Sequence, residues 1–257
     1  MEEKRATKSS IAIFPLYNYP LFTEKNCIEN NIILALEKSK IAIKDRDIFV
    51  IAQKIVSKSE GRIVDGKSVD VSSVALEIAI RNGFDPIQVQ LAIRESTKIL
   101  RTDRVLITVT KNGMVCNFSG VDKSNILEGY YVLLPENPDY SAQRIREFLE
   151  KETGKKIAVI ISDTQGRPWR RGGMNIAIGS SGVDAFRYNK GRQDLYGREL
   201  KRSTICQIDE IAAAAEHMMG QGSEGYPVII VRGVQYDSEH CESASDVPRD
   251  EKEDLFR

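Results

Sequence analysis

The sequence predicts a mixed α/β fold, an α+β arrangement around a mixed sheet, and three observations carry that prediction. Apolar runs of strand length, residues 48–51, 157–161 and 228–231, alternate with amphipathic stretches at helical spacing. An Asn112-Gly113 pair between two apolar runs signals an antiparallel hairpin, so the sheet is not purely parallel. With 257 residues, 41% hydrophobic and 29% charged, the chain can bury a core without disulfide staples.

The elements follow in order. Residues 1–10 are charged and small and read as a flexible tail ahead of a main domain over 11–236. Residues 11–16 form a short strand, and Asn18-Tyr19-Pro20-Leu21 a loop. Ile28, Ile32, Ala35 and Leu36 recur at helical spacing. A buried strand is expected within 47–55, then a polar turn over 57–62. Ser72 or Ser73 caps a helix that ends at Gly83, and Asp85-Pro86 opens another with Gln88 placed for a capping box. Residues 105–110 and 114–118 flank the hairpin turn, and 130–134 form a strand closed by Pro135 and Pro138. Ser141 starts a helix whose Ala142, Ile145, Phe148 and Leu149 share one face, with Gly154 as its stop. The strand over 156–162 ends at Asp163-Thr164, and 175–179 gives a further strand. Ile208, Ile211, Ala212, Ala215 and Met219 make the buried stripe of a helix, followed by a glycine-rich loop over 220–226. From Asp237 to the end, eight acidic and three basic residues with few apolar ones read as a solvated acidic tail, 237–257.

Composition narrows the function classes. Lys+Arg and Asp+Glu both number 37, so no basic surplus asks for nucleic acid or an anionic membrane. No apolar run has membrane-spanning length, and no signal peptide is visible; a cytoplasmic location is expected. Cys27, Cys116, Cys206 and Cys241 are widely spaced and read as free, packed thiols in a reducing compartment. His217 falls opposite the apolar stripe of its helix and His240 lies in the tail. Zinc or Ser-His-Asp chemistry would have to use one of these two histidines.

Asp163 is the sharpest position. It follows five apolar strand residues, and ligands of open α/β sheets collect beyond carboxyl strand ends. With the Thr164 hydroxyl it offers oxygen to a hard cation; the plainer alternative is an Asp that begins a turn. Gln165-Gly166-Arg167-Pro168-Trp169-Arg170-Arg171-Gly172-Gly173 reads as an anion-binding loop beside it, or as a basic surface turn. Asp122 is a second candidate carboxylate, or another turn residue. Gly220-Gln221-Gly222-Ser223-Glu224-Gly225 spells G-x-G-x-x-G between a helix and a strand, the reverse of the dinucleotide context. It remains either a phosphate-cradling loop or a simple connection. Lys58 serves a phosphate or is solvated.

Several long motifs occur in one order: Ala52-Gln53-Lys54-Ile55-Val56-Ser57-Lys58-Ser59-Glu60-Gly61-Arg62, Gly120-Val121-Asp122-Lys123-Ser124-Asn125, Ser162-Asp163-Thr164-Gln165-Gly166-Arg167-Pro168-Trp169-Arg170, Asp194-Leu195-Tyr196-Gly197-Arg198-Glu199-Leu200, Met219-Gly220-Gln221-Gly222 and Val231-Arg232-Gly233. Over residues 11–234 the sequence closely resembles the coenzyme F420:L-glutamate ligase (F420-0 gamma-glutamyl ligase) family. The resemblance implies an enzyme that adds L-glutamate to a deazaflavin coenzyme with GTP through an acyl phosphate. It also implies two divalent ions, Mg²⁺ or Mn²⁺, with K⁺ as an accessory cation. Asp122, Asp163, Thr164 and Gln221 would be the metal ligands. Tyr19, Pro20, Leu21, Phe22, Gln53, Lys54, Lys58, Asn125 and the run Met219-Gly220-Gln221-Gly222-Ser223-Glu224-Gly225-Tyr226 would hold the nucleotide. A V-shaped, two-lobed subunit in an intertwined homodimer comes with the family. Charge alone adds Arg167, Arg170 and Arg171 as contacts for the acceptor phosphate or the glutamate carboxylates. Two other readings use the same residues: a related NTP-using ligase with another carboxylate acceptor, and a non-catalytic nucleotide-binding regulator.

Overall fold

The computed structural model describes residues 10–17, 19–20 and 27–254. In chain order its elements are β1 (Ala12–Pro15), α1 (Ile28–Ser39), β2 (Ile48–Ala52), α2 (Gln53–Ser59), β3 (Ile63–Asp65), α3 (Ser73–Asn82), α4 (Pro86–Arg94), β4 (Ser96–Arg101), β5 (Ile107–Thr110), β6 (Val115–Asn117), β7 (Tyr130–Val132), α5 (Pro138–Thr153), β8 (Ala158–Arg167), β9 (Arg170–Ser181), β10 (Phe186–Tyr188), β11 (Thr204–Cys206), α6 (Gln207–Met219) and β12 (Val228–Arg232).

The central sheet has the order β1-β12-β2-β8-β9. Only β2 and β8 run parallel; β1–β12, β12–β2 and β8–β9 are antiparallel. This is the mixed sheet the sequence predicts. Strand alternation divides its side chains between two layers. Phe49, Ile51, Val159, Ile161, Val228 and Ile230 join a core with Ile28, Ile32, Ala35 and Leu36 of α1 and Ala142, Ile145 and Leu149 of α5. Their neighbours Ile48, Val50, Ala158, Ile160, Ile229 and Val231 face Ile208, Ile211, Ala212, Ala215 and Met219 of α6. Each fully buried aliphatic side chain contributes roughly 1.5–3 kcal/mol of transfer free energy, so the two layers supply the main driving force for this half of the fold. A third cluster, with Ala75, Ile78, Ala79, Val89, Leu91 and Leu106, packs α3 and α4 beside the β4-β5-β6 sheet.

Several local readings agree with the structure. The Ser72 side chain accepts from Ala75 N at the start of α3, and Gly83 closes that helix in the left-handed region. The hairpin pairs Thr108 with Cys116 around Asn112-Gly113. His217 is exposed on α6, and all four cysteines are free, but only Cys116 and Cys206 are packed as expected; Cys27 and Cys241 are exposed. No described helix is long and apolar enough to cross a membrane.

Other readings are corrected. The strand expected within 47–55 ends at Ala52, and helix α2 takes up the first half of the expected polar turn, which is confined to Glu60-Gly61-Arg62. Gln88 makes no capping box: Asp85 caps α4, while the Gln88 amide donates 2.8 Å to Val121 O. Helix α5 starts at Pro138, not Ser141, because Asn137 caps it by accepting from Tyr140 N and proline suits the first helical position. The strand expected to stop at Asp163 runs on to Arg167, and β9 returns from Arg170. The arginine-rich segment is therefore the tip of a β-ribbon rather than a loop.

Residues 237–254 are not a solvated tail. Ala244 is buried in the α6-side core, and Asp246 closes a capping box with Ser243. Tyr188 donates 2.6 Å to Glu242, Lys98 pairs with Glu251, and the buried Asp184 carboxylate accepts from His240 N at 2.9 Å. The expectation of a loose tail over 1–10 falls almost wholly outside the described residues, as do Asn18, Leu21 and Phe22.

Candidate active site

The parallel pair sets the position of the site. Ile51 lies opposite Ile161 and Ala52 opposite Ser162, so β2 and β8 present their carboxyl-terminal continuations side by side. From β2 the chain turns into α2, which carries Gln53, Lys54 and Lys58. From β8 it continues into Asp163 and Thr164. A bulge beside this point shifts the β8–β9 register: Ile161 faces Gly179 but Ser162 faces Ala177, leaving Ile178 extra on β9. After the shift, Thr164 faces Asn175.

These elements border a cleft of about 1180 Å³. Asp122, Ser124, Asn125, Asp163, Thr164, Asn175 and residues 219–227 line it, together with Tyr19 and Pro20. Lys54 Nζ lies 2.8 Å from Asp122 Oδ2 and donates 2.7 Å to Ser124 Oγ. Ser124 N also donates 2.7 Å to Asp122 Oδ1. Lys58 Nζ donates 2.8 Å to Asn125 O, so it is engaged across the cleft rather than simply solvated. Asn125 adopts φ 52 and directs its amide 3.4 Å toward Gly222 O, joining the Asp122 turn to the glycine loop.

A polar hydrogen-bond chain runs among these residues. Gln221 Nε2 donates 2.6 Å to Thr164 Oγ1, and Thr164 Oγ1 donates 2.8 Å to Asn175 Oδ1. Gln221 also bonds Glu216 on the last turn of α6, while the other Glu216 oxygen is buried without a hydrogen-bond partner. Gln53 is buried, accepts 2.9 Å from Ser57 Oγ and directs its amide at Asp163. Gly220 turns the chain out of α6 at φ 69, and a side chain there would collide with the Glu224 carboxylate folded over it.

Electrostatics differ between the two carboxylates. Burial pushes Asp163 up to about 7; the Asp122 charge adds to the rise, against hydrogen bonds from Thr164 N and Gln53 and the charge of Lys54. Burial also raises Asp122, but hydrogen bonds from Lys54 and Ser124 outweigh it and hold its carboxyl below the usual range. Lys58 is lowered, first by desolvation and then by the Lys54 charge. Two clustered carboxylates beside a hydroxyl, side-chain amides and two lysines suit a hard cation together with a polyanion. Among the described residues, no group of three or more His, Cys, Asp or Glu forms a metal cage, so protein donors alone would leave coordination positions open.

A family model for F420-0:gamma-glutamyl ligase matches residues 18–233. This chain belongs to the F420-0:gamma-glutamyl ligase family. It is 45% identical to the coenzyme F420:L-glutamate ligase of Methanocaldococcus jannaschii over 216 residues, 84% of this chain and 86% of that relative. It is 42% identical to the enzyme of that name from Methanothermobacter thermautotrophicus over 87% of this chain and 89% of the relative. With the one from Archaeoglobus fulgidus, 39% identity extends over 247 residues, 96% of each chain. That alignment omits no more than ten residues of this chain, so it reaches into the segment after Asp237.

In this ligase-family chain, the residues singled out by sequence separate into two groups. Asp122, Asp163, Thr164, Gln221, Gln53, Lys54, Lys58, Asn125, Tyr19, Pro20 and the 219–226 run border one cleft. The arginines do not: Arg167 donates 3.2 Å to Gly172 O at the ribbon tip, and Arg170 and Arg171 are exposed there. The Asp194-to-Leu200 motif lies in the arm between β10 and β11, where Leu195 and Tyr196 are fully exposed. Sequence reasoning missed Asn175 and Glu216. Glu216 carries a readable signal, one turn before the glycine loop on the helix that delivers it. Asn175 depends on strand register and carries none.

Proposed function

We propose that this chain is a coenzyme F420:L-glutamate ligase that uses GTP to activate the carboxylate of coenzyme F420-0. The observation that supports it best is the single cleft where Asp122, Asp163, Thr164 and Gln221 meet Lys54 and Lys58 at the carboxyl edge of β2 and β8. In a member of this family, that combination suits a metal-bound nucleoside triphosphate.

A carboxylate does not acylate an amine directly, because oxide is a poor leaving group. A carboxylate oxygen of the acceptor attacks the γ-phosphorus of GTP, the bond to the bridging oxygen breaks, and GDP departs. The amine of L-glutamate then attacks the acyl carbon. The C–N bond forms, phosphate leaves with the former carboxylate oxygen, and the amine loses its proton to water. Such transfers depend on positioning and charge neutralisation more than on a side-chain nucleophile. Lys58, and Lys54 once shared between Asp122 and phosphate, lower the cost of bringing anions together. Backbone N–H groups of the 220–225 loop would cradle phosphates, with Gly222 N released from the Glu224 carboxylate it now meets. Tyr19 and Pro20 line the same cleft, and the base would lie against them.

The donor set fits Mg²⁺ or Mn²⁺, two ions, held by Asp122, Asp163, the Thr164 hydroxyl and the Gln221 carbonyl, with K⁺ as an accessory cation. When bound, the ions offset the charge that accumulates on the phosphate oxygens during transfer. The partly buried pairing of two like charges at Asp122 and Asp163 is consistent with a site that expects a cation. We also assign to this chain the V-shaped subunit and intertwined homodimer of its family, to be checked by light scattering at twice the chain mass. Its expected location is the cytoplasm.

Incubating the protein with GTP, Mn²⁺, L-glutamate and F420-0, with mass spectrometry of the products, tests the assignment. Glutamylated coenzyme with matching GDP supports it. GDP formed only with another carboxylate acceptor would assign a related ligase instead.

A further inference from the structure

A second cavity, of about 1610 Å³, shares Asp122, Asp163 and Thr164 with the nucleotide cleft. Much of its remaining lining is apolar, with Leu100, Val105, Phe118, Ile178, Val247 and Pro248. Three guanidinium groups from three separate parts of the chain also line it, Arg101 on β4, Arg167 on the ribbon and Arg249 in the C-terminal segment, together with the carboxylates of Asp103 and Asp254. Arg101 donates 2.9 Å to Asp103 O and pairs with the Asp103 carboxylate at 4.0 Å, Arg167 donates to the Gly172 carbonyl, and Arg249 makes no ion pair among the described residues.

The C-terminal segment is fixed against this cavity by Asp139, in the first turn of α5. One Asp139 oxygen accepts from Ser180 N at 2.7 Å and Ala244 N at 3.2 Å. The other accepts from Ser243 Oγ at 2.8 Å and Ser245 N at 3.1 Å. A fourfold-satisfied carboxylate leaves the segment little freedom, and the wall residues Val247, Pro248 and Arg249 follow directly after it.

We infer that this cavity is the acceptor half of the site, and that the C-terminal segment completes it by adding Arg249 to Arg101 and Arg167 as an anion-binding rim. The inference rests on the ligase reading above. An acceptor whose carboxylate is activated beside Asp163 must enter from the side the nucleotide leaves free. The apolar lining suits a planar apolar body. The acceptor carries a phosphate besides the reacting carboxylate, and guanidinium groups bind such a group bidentately. The L-glutamate co-substrate also bears carboxylates, so the two sources are separated in the test.

Steady-state kinetics on the full-length Arg249→Glu, Arg249→Lys and Arg101→Ala variants, with calorimetric titration of F420-0 into each, decide it. Arg249 is exposed, so its replacement leaves the core intact, and a circular-dichroism melt checks this. The expected result is an acceptor KM raised about tenfold or more in Arg249→Glu, from loss of a charged hydrogen bond, with partial recovery in Arg249→Lys. The KM values for GTP and L-glutamate stay unchanged. An active variant whose acceptor KM is unchanged, or in which only the glutamate KM rises, overturns the inference. Wild-type protein that binds F420-0 more tightly than Arg249→Glu yet forms no amide would remove the ligase reading and keep the pocket. Wild-type protein that does not bind F420-0 overturns both.

Discussion

Lys54 Nζ lies 2.8 Å from Asp122 Oδ2, and this contact spans the cleft from the start of α2 to the turn that follows β6. One ammonium thereby keeps a carboxylate ionised and in place, and it lies close enough to Asp163 for its charge to act there. Replacing Lys54 with Met removes that charge and leaves two carboxylates facing each other. The expected loss in ligation rate is about a hundredfold or more, in line with removal of a preorganised charge from a phosphoryl-transfer site. A steady-state assay checks it; a rate within threefold of wild type would put Lys54 outside the machinery.

Asp163→Asn separates function from folding at the most perturbed group. Its carboxyl is pushed up to about 7 mainly by burial, so the neutral isostere carries less desolvation cost. The variant should melt at or above the wild-type temperature while ligation is abolished. Normal activity would remove Asp163 from the metal site.

Asp47 and Arg232 form a bidentate pair, Nε to Oδ1 and Nη2 to Oδ2, both 2.7 Å, with Asp47 fully buried. Asp47 also accepts from Lys44 N at 2.8 Å. Asp47→Ala leaves a guanidinium without its carboxylate partner at one end of the β12–β2 strand pair. A destabilisation of about 3–5 kcal/mol is expected in urea unfolding. A change under 1 kcal/mol would show that the pair is structurally idle.

Gly179 lies where β9 passes the first residue of α5; an added Cβ would sit 2.4 Å from the Pro138 backbone carbon. Because the obstacle is backbone, Gly179→Ala must displace α5 or β9. The expected cost is about 1–3 kcal/mol in thermal unfolding. The displacement also shifts Asp139, and with it the C-terminal segment, so acceptor KM should rise together with the loss of stability.

His240 provides a pH readout of that segment. The hydrogen bond to Asp184 raises its pKa above the ordinary 6.5, with the Asp184 charge adding and slight desolvation opposing. A raised histidine contributes stability that is complete below about pH 6.5 and is lost as pH rises through the folded value. Docking of the segment should weaken across that window. With two histidines in the chain, an NMR titration resolves His240 from His217. Asp184→Asn should lower the His240 pKa, with the Glu242 and Asp237 charges still holding it up in part; an unchanged titration would show that the pair does not hold the segment.

The sequence exposed the apolar runs of β2, β8 and β12 and the buried stripe of α6, because burial on both faces leaves continuous or periodic hydrophobicity. Asp163 was legible as the first polar residue after such a run. The continuation of β8 was not. Beyond Ser162 the strand leaves the core and pairs only with β9, so Gln165-Gly166-Arg167 looks like a loop by composition although Gln165 pairs with Met174 and Arg167 with Arg170. Asn175 reaches Thr164 only through the bulge at Ile178, a register effect without a local signature. The start of α5 is legible in Asn137-Pro138, a cap followed by the residue favoured at the first helical position, which competes with Ser141 three residues on. The acidic segment misled for a different reason. Its charges find partners in Tyr188, Lys98 and the Ser243 cap, none of which composition can reveal.

The central claim is that the cleft joins L-glutamate to F420-0 at the expense of GTP. It is tested most directly by incubating wild-type protein with the three substrates and Mn²⁺ and following GDP and the coenzyme together. One GDP for each glutamate added, with both products absent in Asp163→Asn, is the predicted result. GTP bound without turnover, or GDP released with no glutamylated coenzyme, would contradict it.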